Sequence, residues 1–147
     1  MMEELVNLLR KTLADTFTLY LKAHYYHWNV EGKDFPQYHE FLNNLYEDIY
    51  RSVDTFAEHI RALGAYSPGS LEEFKAITTI TENSTMPMSA ESMFSDLDTQ
   101  LAQYYATLLP VMRISELFAE FGIANYVQDR MATIRKHQWM VRSILKD

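Results

Sequence analysis

Five residues in the first half of the chain could do chemistry together: His27 with Trp28 beside it, then His39, then Asp54 and Glu58. Two imidazoles and two carboxylates suit iron or another divalent first-row metal. Their spacing restricts how they can meet. Residues 3–29 show helix-period apolar positions without Gly or Pro, and a second helix is predicted from about 36 to 63, opened by Pro36 and capped by Gly64. An antiparallel pair joined at residues 31–35 sets His27 and His39 side by side, since both are equally far from residue 33. By the same arithmetic His24 lies level with Leu42 and Asn43. Asp54 is out of reach: the helix between it and His39 spans about 22 Å, against a metal–ligand bond of about 2 Å. One copy of the chain therefore cannot close the site. Two copies of the second helix, packed antiparallel about a two-fold axis near residues 47–48, bring His39 of one copy to Asp54 and Glu58 of the other, twice over.

The elements that must hold these residues follow from the hydrophobic period. At about 100° per residue from His39, the positions Leu42, Leu45, Ile49, Val53, Phe56 and Ile60 fall within one stripe, predicted to face a core. His39, Asn43, Glu47, Tyr50, Asp54 and Glu58 form a polar ribbon beside it. Residues 64–88 read as a long connection with breakers at Ser67-Pro68-Gly69 and Met86-Pro87. Inside it Ser70-Leu71-Glu72-Glu73 matches a capping box, which predicts a short helix at 71–77. Ser89 is placed to cap a third long helix reaching about Phe121, stopped by Gly122 and kinked or broken at Pro110. The fourth is predicted over 124–145. Short, long and short connections make an all-α four-helix bundle whose middle link crosses over.

Composition narrows the function classes. One domain over 1–147 is expected, 48% of its residues are hydrophobic, and there is no Cys, so neither a disulfide framework nor a thiolate metal site can form. The start, Met1-Met2-Glu3-Glu4, is acidic and has no signal-peptide pattern, and no apolar run nears the length of a membrane span, so a soluble cytoplasmic protein is expected. The net charge of −7 opposes non-specific nucleic-acid binding. Residues 122–147 depart from this, at +3 through Arg130, Arg135, Lys136, Arg142 and Lys146 against Asp129 and Asp147. Bases near a helix C-terminus offset its dipole. None of the five histidines has Glu three residues before it, which argues against a di-iron centre built from Glu-x-x-His pairs inside one bundle.

Several segments together resemble a known signature. They are His27-Trp28-Asn29-Val30-Glu31-Gly32-Lys33-Asp34-Phe35, His39-Glu40, Asp54-Thr55-Phe56-Ala57-Glu58-His59, Leu63-Gly64, and Gln138-Trp139-Met140. The pattern is similar to that of the Dps (DNA protection during starvation) mini-ferritins, over essentially the whole chain. The resemblance implies a ferritin-like four-helix bundle with a short extra helix in its long connection, assembled as a hollow dodecamer. It also implies ferroxidase centres at two-fold interfaces, with His27 and His39 from one subunit and Asp54 and Glu58 from its neighbour. Such proteins bind Fe(II), oxidise it with hydrogen peroxide or dioxygen and store the ferric product, which protects against oxidative damage; zinc is a substitute metal. Two departures bear on this chain. Asn43 stands where family members commonly have a carboxylate, so one firm and one weaker metal position are expected, with His24 and Glu47 as auxiliary candidates. The chain also lacks a basic tail, its first basic residue being Arg10, so no DNA binding is expected at physiological salt. The alternative is a structural or DNA-protecting shell protein with a weakened or inactive centre. Only Asp129 answers to the family's acidic iron-entry pores, and no pore residue is assigned.

Overall fold

A computed structural model describes residues 2–146; Met1 and Asp147, the ends of the expected domain, lie outside the described residues. Four long helices pack as a bundle: α1 (Met2–Asn29), α2 (Phe35–Ala62), α4 (Ala90–Leu117) and α5 (Phe121–Leu145), with the short α3 (Leu71–Ile77) in the long connection. Among the described residues there is no strand, and no helix is long and apolar enough to cross a membrane. α1 pairs with α2, α4 pairs with α5, and α1 also packs on α4. The core between them is aliphatic and aromatic: Leu9, Leu19, Ile49, Phe56, Leu97, Tyr104 and Ile134 have no exposed surface.

The turn between α1 and α2 fixes their register. Gly32 has φ +125°, a conformation costly for any residue with a Cβ, and the Phe35 amide donates to its carbonyl. Pro36 sits in the first turn of α2, where no N–H is required of it. At the far end Gly64 (φ +92°) closes α2, its amide donating to Arg61 and that of Ala65 to Ile60. The predicted capping box of α3 is present, with Ser70 Oγ accepting from the Glu73 amide and the Glu73 carboxylate accepting from the Ser70 amide. Within α2 the core stripe holds at Leu42, Leu45, Ile49, Phe56 and Ile60. Val53 is only half-buried, and Ser52 takes the buried place, its hydroxyl bonded back to the Ile49 carbonyl.

Two expectations about α4 are corrected. The helix runs through Pro110 without the local break, and the fully buried Leu108 and Val111 lie on either side of it. It also ends at Leu117 rather than near Phe121, and Gly122 lies in the first turn of α5 instead of stopping α4. The stop is Ala119, at φ +58°: its amide donates to Glu116 and that of Glu120 to Ser115. This is the closure that Gly64 gives α2, made here by a residue with a Cβ in the left-handed region. Ala119→Gly should therefore raise stability by up to about 1 kcal/mol, read as a shift of the denaturant midpoint at constant slope. A destabilised variant would count against strain at this position.

The crossover is tied down by one buried carboxylate. Asp15 of α1 accepts from Thr78 Oγ1 (2.7 Å), the Thr79 amide (2.6 Å), Thr79 Oγ1 (2.6 Å) and Thr107 Oγ1 of α4 (2.7 Å). Phe74 of α3 packs on Phe17 of α1, with ring centroids 5.1 Å apart.

On the opposite pair of helices, Asp48 of α2 receives a fork from Arg130 of α5 (3.0 and 2.9 Å) and a bond from His137 Nε2 (2.7 Å). Burial alone would raise the Asp48 pKa, but the hydrogen bonds from His137 and Arg130 and the Arg130 charge hold it well below the ordinary carboxylate range. A depressed carboxyl stabilises the fold above its unfolded value, near pH 4, and that contribution is lost as pH falls below it. Asp48→Asn should cost about 2 kcal/mol at neutral pH, less than a fully buried pair because 20% of the Asp48 side chain meets solvent. Its stability should also decline less than that of the wild type in acid. Parallel stability–pH curves for the two proteins would refute the assignment.

Candidate metal centre

His27 lies in the last turn of α1 and His39 in the second turn of α2, and the Gly32 turn brings them face to face. Their imidazoles stack with centroids 3.7 Å apart and planes 16° from parallel. Each ring is held by the other residue's backbone. His27 Nδ1 donates to the His39 carbonyl and His39 Nδ1 donates to the His27 carbonyl, both at 2.8 Å. A carbonyl can only accept, so both Nδ1 atoms carry hydrogen, and in the neutral ring that tautomer puts the lone pair on Nε2. A metal-binding imidazole needs this tautomer, and a second partner on the other ring nitrogen is how its orientation is usually secured. Phe35 stacks on the outer side of His39 with centroids 4.9 Å apart.

The expectation that His27 and His39 are neighbours holds; the ring that His24 meets lies further along α2 than the Leu42–Asn43 level counted for it. The His24 ring stacks on Tyr46 (3.8 Å, 6°), one turn beyond Asn43. Side chains on a helix lean toward its N-terminus, so His24 leans away from the inter-helix turn while Tyr46 leans back toward it, and the two converge. His24 Nδ1 is also bonded to Tyr20 Oη (3.0 Å), and Trp28 lies 4.1 Å from its ring. Burial first, then the nearby His27, lower the His24 pKa and favour the neutral ring. These aromatic partners were not singled out from the sequence. The signal for them was Tyr20, His24 and His27 at helical spacing, facing Tyr46 and Tyr50 at the same spacing.

Asp54 and Glu58 lie near the other end of the same face of α2, both exposed. The neighbouring Asp54 carboxylate raises the Glu58 pKa. Two carboxylates close enough to share a proton are a receptor for a cation that can displace it. Arg61, three residues beyond Glu58 on the same helix, is turned to the Ala65 carbonyl (2.8 Å) and the Tyr66 ring. Asn43 is half-buried and Glu47 exposed on the ribbon between the two ends, with Tyr50, which is 53% exposed. Among the described residues no three His, Asp or Glu side chains converge on one point. The protomer thus carries an imidazole pair and a carboxylate pair at separate ends of one exposed face.

A bundle with a long crossover, a short helix within it and polar half-sites on the outside of α2 defines a class, and comparison with known proteins agrees. Residues 6–147 match the ferritin-like domain, and the chain belongs to that family. Its relatives place it among the Dps mini-ferritins. Antigen TpF1 of Treponema pallidum is 33% identical over 141 residues, 94% of this chain and 78% of that protein. The crystal structure of TpF1 superposes with a TM-score of 0.95, covering 99% of this chain and 94% of that one at 27% identity. A Dps protein from Bacillus brevis superposes at 0.93 with 26% identity, over 99% and 97%. The DNA protection during starvation protein of Helicobacter pylori is 25% identical over 138 residues, 94% of this chain and 96% of its own length.

Proposed function

We propose that the protein is a mini-ferritin that binds Fe(II), oxidises it with hydrogen peroxide or dioxygen at centres shared between two subunits, and stores the ferric product in a hollow dodecamer. The observation that carries this reading is the reciprocal locking of His27 and His39, which leaves two metal-ready Nε2 atoms at one end of α2 while Asp54 and Glu58 wait at the other. The gap of about 22 Å along the helix is closed by a two-fold axis near residues 47–48. The exposed Tyr50 on the same face suits such a contact. Imidazole and carboxylate ligands hold Fe(II), and the carboxylates favour the more highly charged ferric product. Iron is the substrate here, and zinc can take its place without turning over. The family membership supports iron handling in general.

The direct test adds Fe(II) without oxygen, then peroxide, and follows iron oxidation together with particle mass. Oxidation by a large particle that retains its iron is expected; an inert small dimer would end the proposal. Asn43 favours one second reading, a shell whose centre is weakened. A neutral amide offers an oxygen but neutralises no metal charge, so calorimetry with Zn(II) should show one tight equivalent per subunit and a weaker second. Asn43→Asp should tighten the second, and two equally tight equivalents in the wild type would contradict this account. No DNA binding is expected at physiological salt, since the net charge of −7 opposes counterion-releasing contacts with phosphates; a salt-sensitive gel shift would overturn that.

A further inference from the structure

The last helix carries a row of bases for which neither the core nor the metal centre has a use. Arg135, Trp139, Arg142 and Lys146 follow one another at helical spacing on α5. With Gln138 and Ser143 they line a solvent-open cavity of about 490 Å³. Bases in the last turn of a helix offset its dipole, which accounts for Arg142 and Lys146. It does not account for Arg135, more than two turns before the end of α5 at Leu145.

Arg135 is instead fixed in place with its charge unspent. Its guanidinium lies 3.7 Å from the centroid of the Tyr105 ring, and Nη1 donates to Gln138 Oε1 (3.1 Å). Among the described residues no carboxylate pairs with Arg135 or Lys146. Arg142 is anchored to Asp98 through Nε (2.9 Å), and its two terminal nitrogens make no hydrogen bond there. Gln138 is the second, independent sign. It is 1% exposed, Arg135 occupies its Oε1, and its buried Nε2 finds no acceptor. A donor shut away from water without an acceptor is costly, and an anion seated against Arg135 supplies one. Ser143 adds no donor, since its hydroxyl is given to the Trp139 carbonyl (2.9 Å).

We infer that this cavity binds a phosphate group. A guanidinium fork matches paired phosphate oxygens, and the two cations without carboxylate partners match a dianion. The Trp139 indole, 64% exposed in the same lining, offers a flat apolar face to a ring carried on the phosphate. The ligand is thus inorganic phosphate or a small nucleotide, held through the same group. The inference stands apart from the iron-oxidation reading, and its test needs no iron.

The test uses the assembled, iron-free protein at physiological salt in a phosphate-free buffer. In Trp28→Phe, Trp139 is the one remaining indole, so its fluorescence reports on the cavity. Inorganic phosphate should change that emission saturably, and calorimetry on the wild type should give the same affinity. Arg135→Gln and Gln138→Leu should each weaken phosphate binding at least about tenfold, through loss of a charge-assisted bond or a buried donor. Lys136→Gln, the same charge change one residue along and outside the cavity, should bind as the wild type does. Should Gln138→Leu fail to fold, the exposed Lys146→Gln takes its place, with weaker binding again expected. Titrations with adenosine monophosphate and with adenosine separate the sources. Tighter binding of the nucleotide than of phosphate, with the gain lost in Trp139→Ala by calorimetry, assigns the site to nucleotides; equal affinities assign it to free phosphate. No saturation by about 10 mM phosphate or nucleotide, affinities far weaker than specific recognition gives, would overturn the inference. So would equal weakening in Lys136→Gln, which is general charge attraction, or adenosine binding as tightly as its monophosphate.

Discussion

Subunits with both His27→Ala and His39→Ala, and subunits with both Asp54→Ala and Glu58→Ala, are each expected to lose at least about 100-fold in the rate of peroxide-dependent iron oxidation, because removing even an outer partner of a ligand costs up to that much. Mixed, dissociated and reassembled, the two inactive proteins should recover activity. In a mixed dimer one centre receives both defective halves and the other receives both intact halves. Random pairing across a two-fold axis then restores about a quarter of the centres. This outcome separates a shared centre from any arrangement within one protomer, where mixing inactive subunits restores nothing. No recovery, with the mixed assembly shown to form by mass, would defeat the two-subunit centre. The control is mixing each variant with wild type, which leaves intact centres in proportion to the wild-type share.

The largest loss of stability is expected at Asp15. Its carboxylate, held by α1, is fully buried and answers four donors from two other segments: Thr78 and Thr79 of the crossover and Thr107 of α4 bond to it. Asp15→Ala strands these donors away from water and leaves a void, at an expected cost of about 3–5 kcal/mol, the range for breaking a buried charged network. Asp15→Asn keeps one accepting oxygen but turns amide hydrogens toward hydroxyl donors, so an intermediate loss is expected. The crossover should loosen before the bundle does, since Phe74 and Ile80 are its other buried anchors. Limited proteolysis under native conditions should then cut near residues 78–88 in Asp15→Ala and not in the wild type. A variant within about 1 kcal/mol of wild type, the range of ordinary surface substitutions, would show that the hydrophobic contacts alone hold the connection.

Much of this architecture is legible in local sequence. Four helices, the short α3 and its capping box follow from period, breakers and the Ser70–Glu73 spacing, and the His27–His39 meeting follows from counting residues across a short turn. The errors are equally local in origin. Gly122 was read as the stop for α4 because glycine is the usual left-handed residue, yet Ala119 adopts that conformation once the Ser115 and Glu116 carbonyls are satisfied by it. Ser52 replaces Val53 in the core stripe because its hydroxyl is satisfied by its own helix. His24 meets Tyr46 rather than Asn43 because side-chain lean shifts contacts by a turn, which a count of Cα positions ignores.

By itself the sequence determined the candidate ligand types, their division into an imidazole pair and a carboxylate pair, and the impossibility of joining them within one chain, since helical rise alone sets that distance. Tertiary structure decided what periodicity cannot express. The exchange of Nδ1–carbonyl bonds that leaves both Nε2 atoms free depends on two helix backbones approaching within hydrogen-bond reach. The Asp15 tie and the Asp48–Arg130–His137 cluster join residues 63 to 92 positions apart. Such partners share no period and no motif; they are chosen by packing, because a carboxylate taken out of water must find its donors wherever the folded chain brings them.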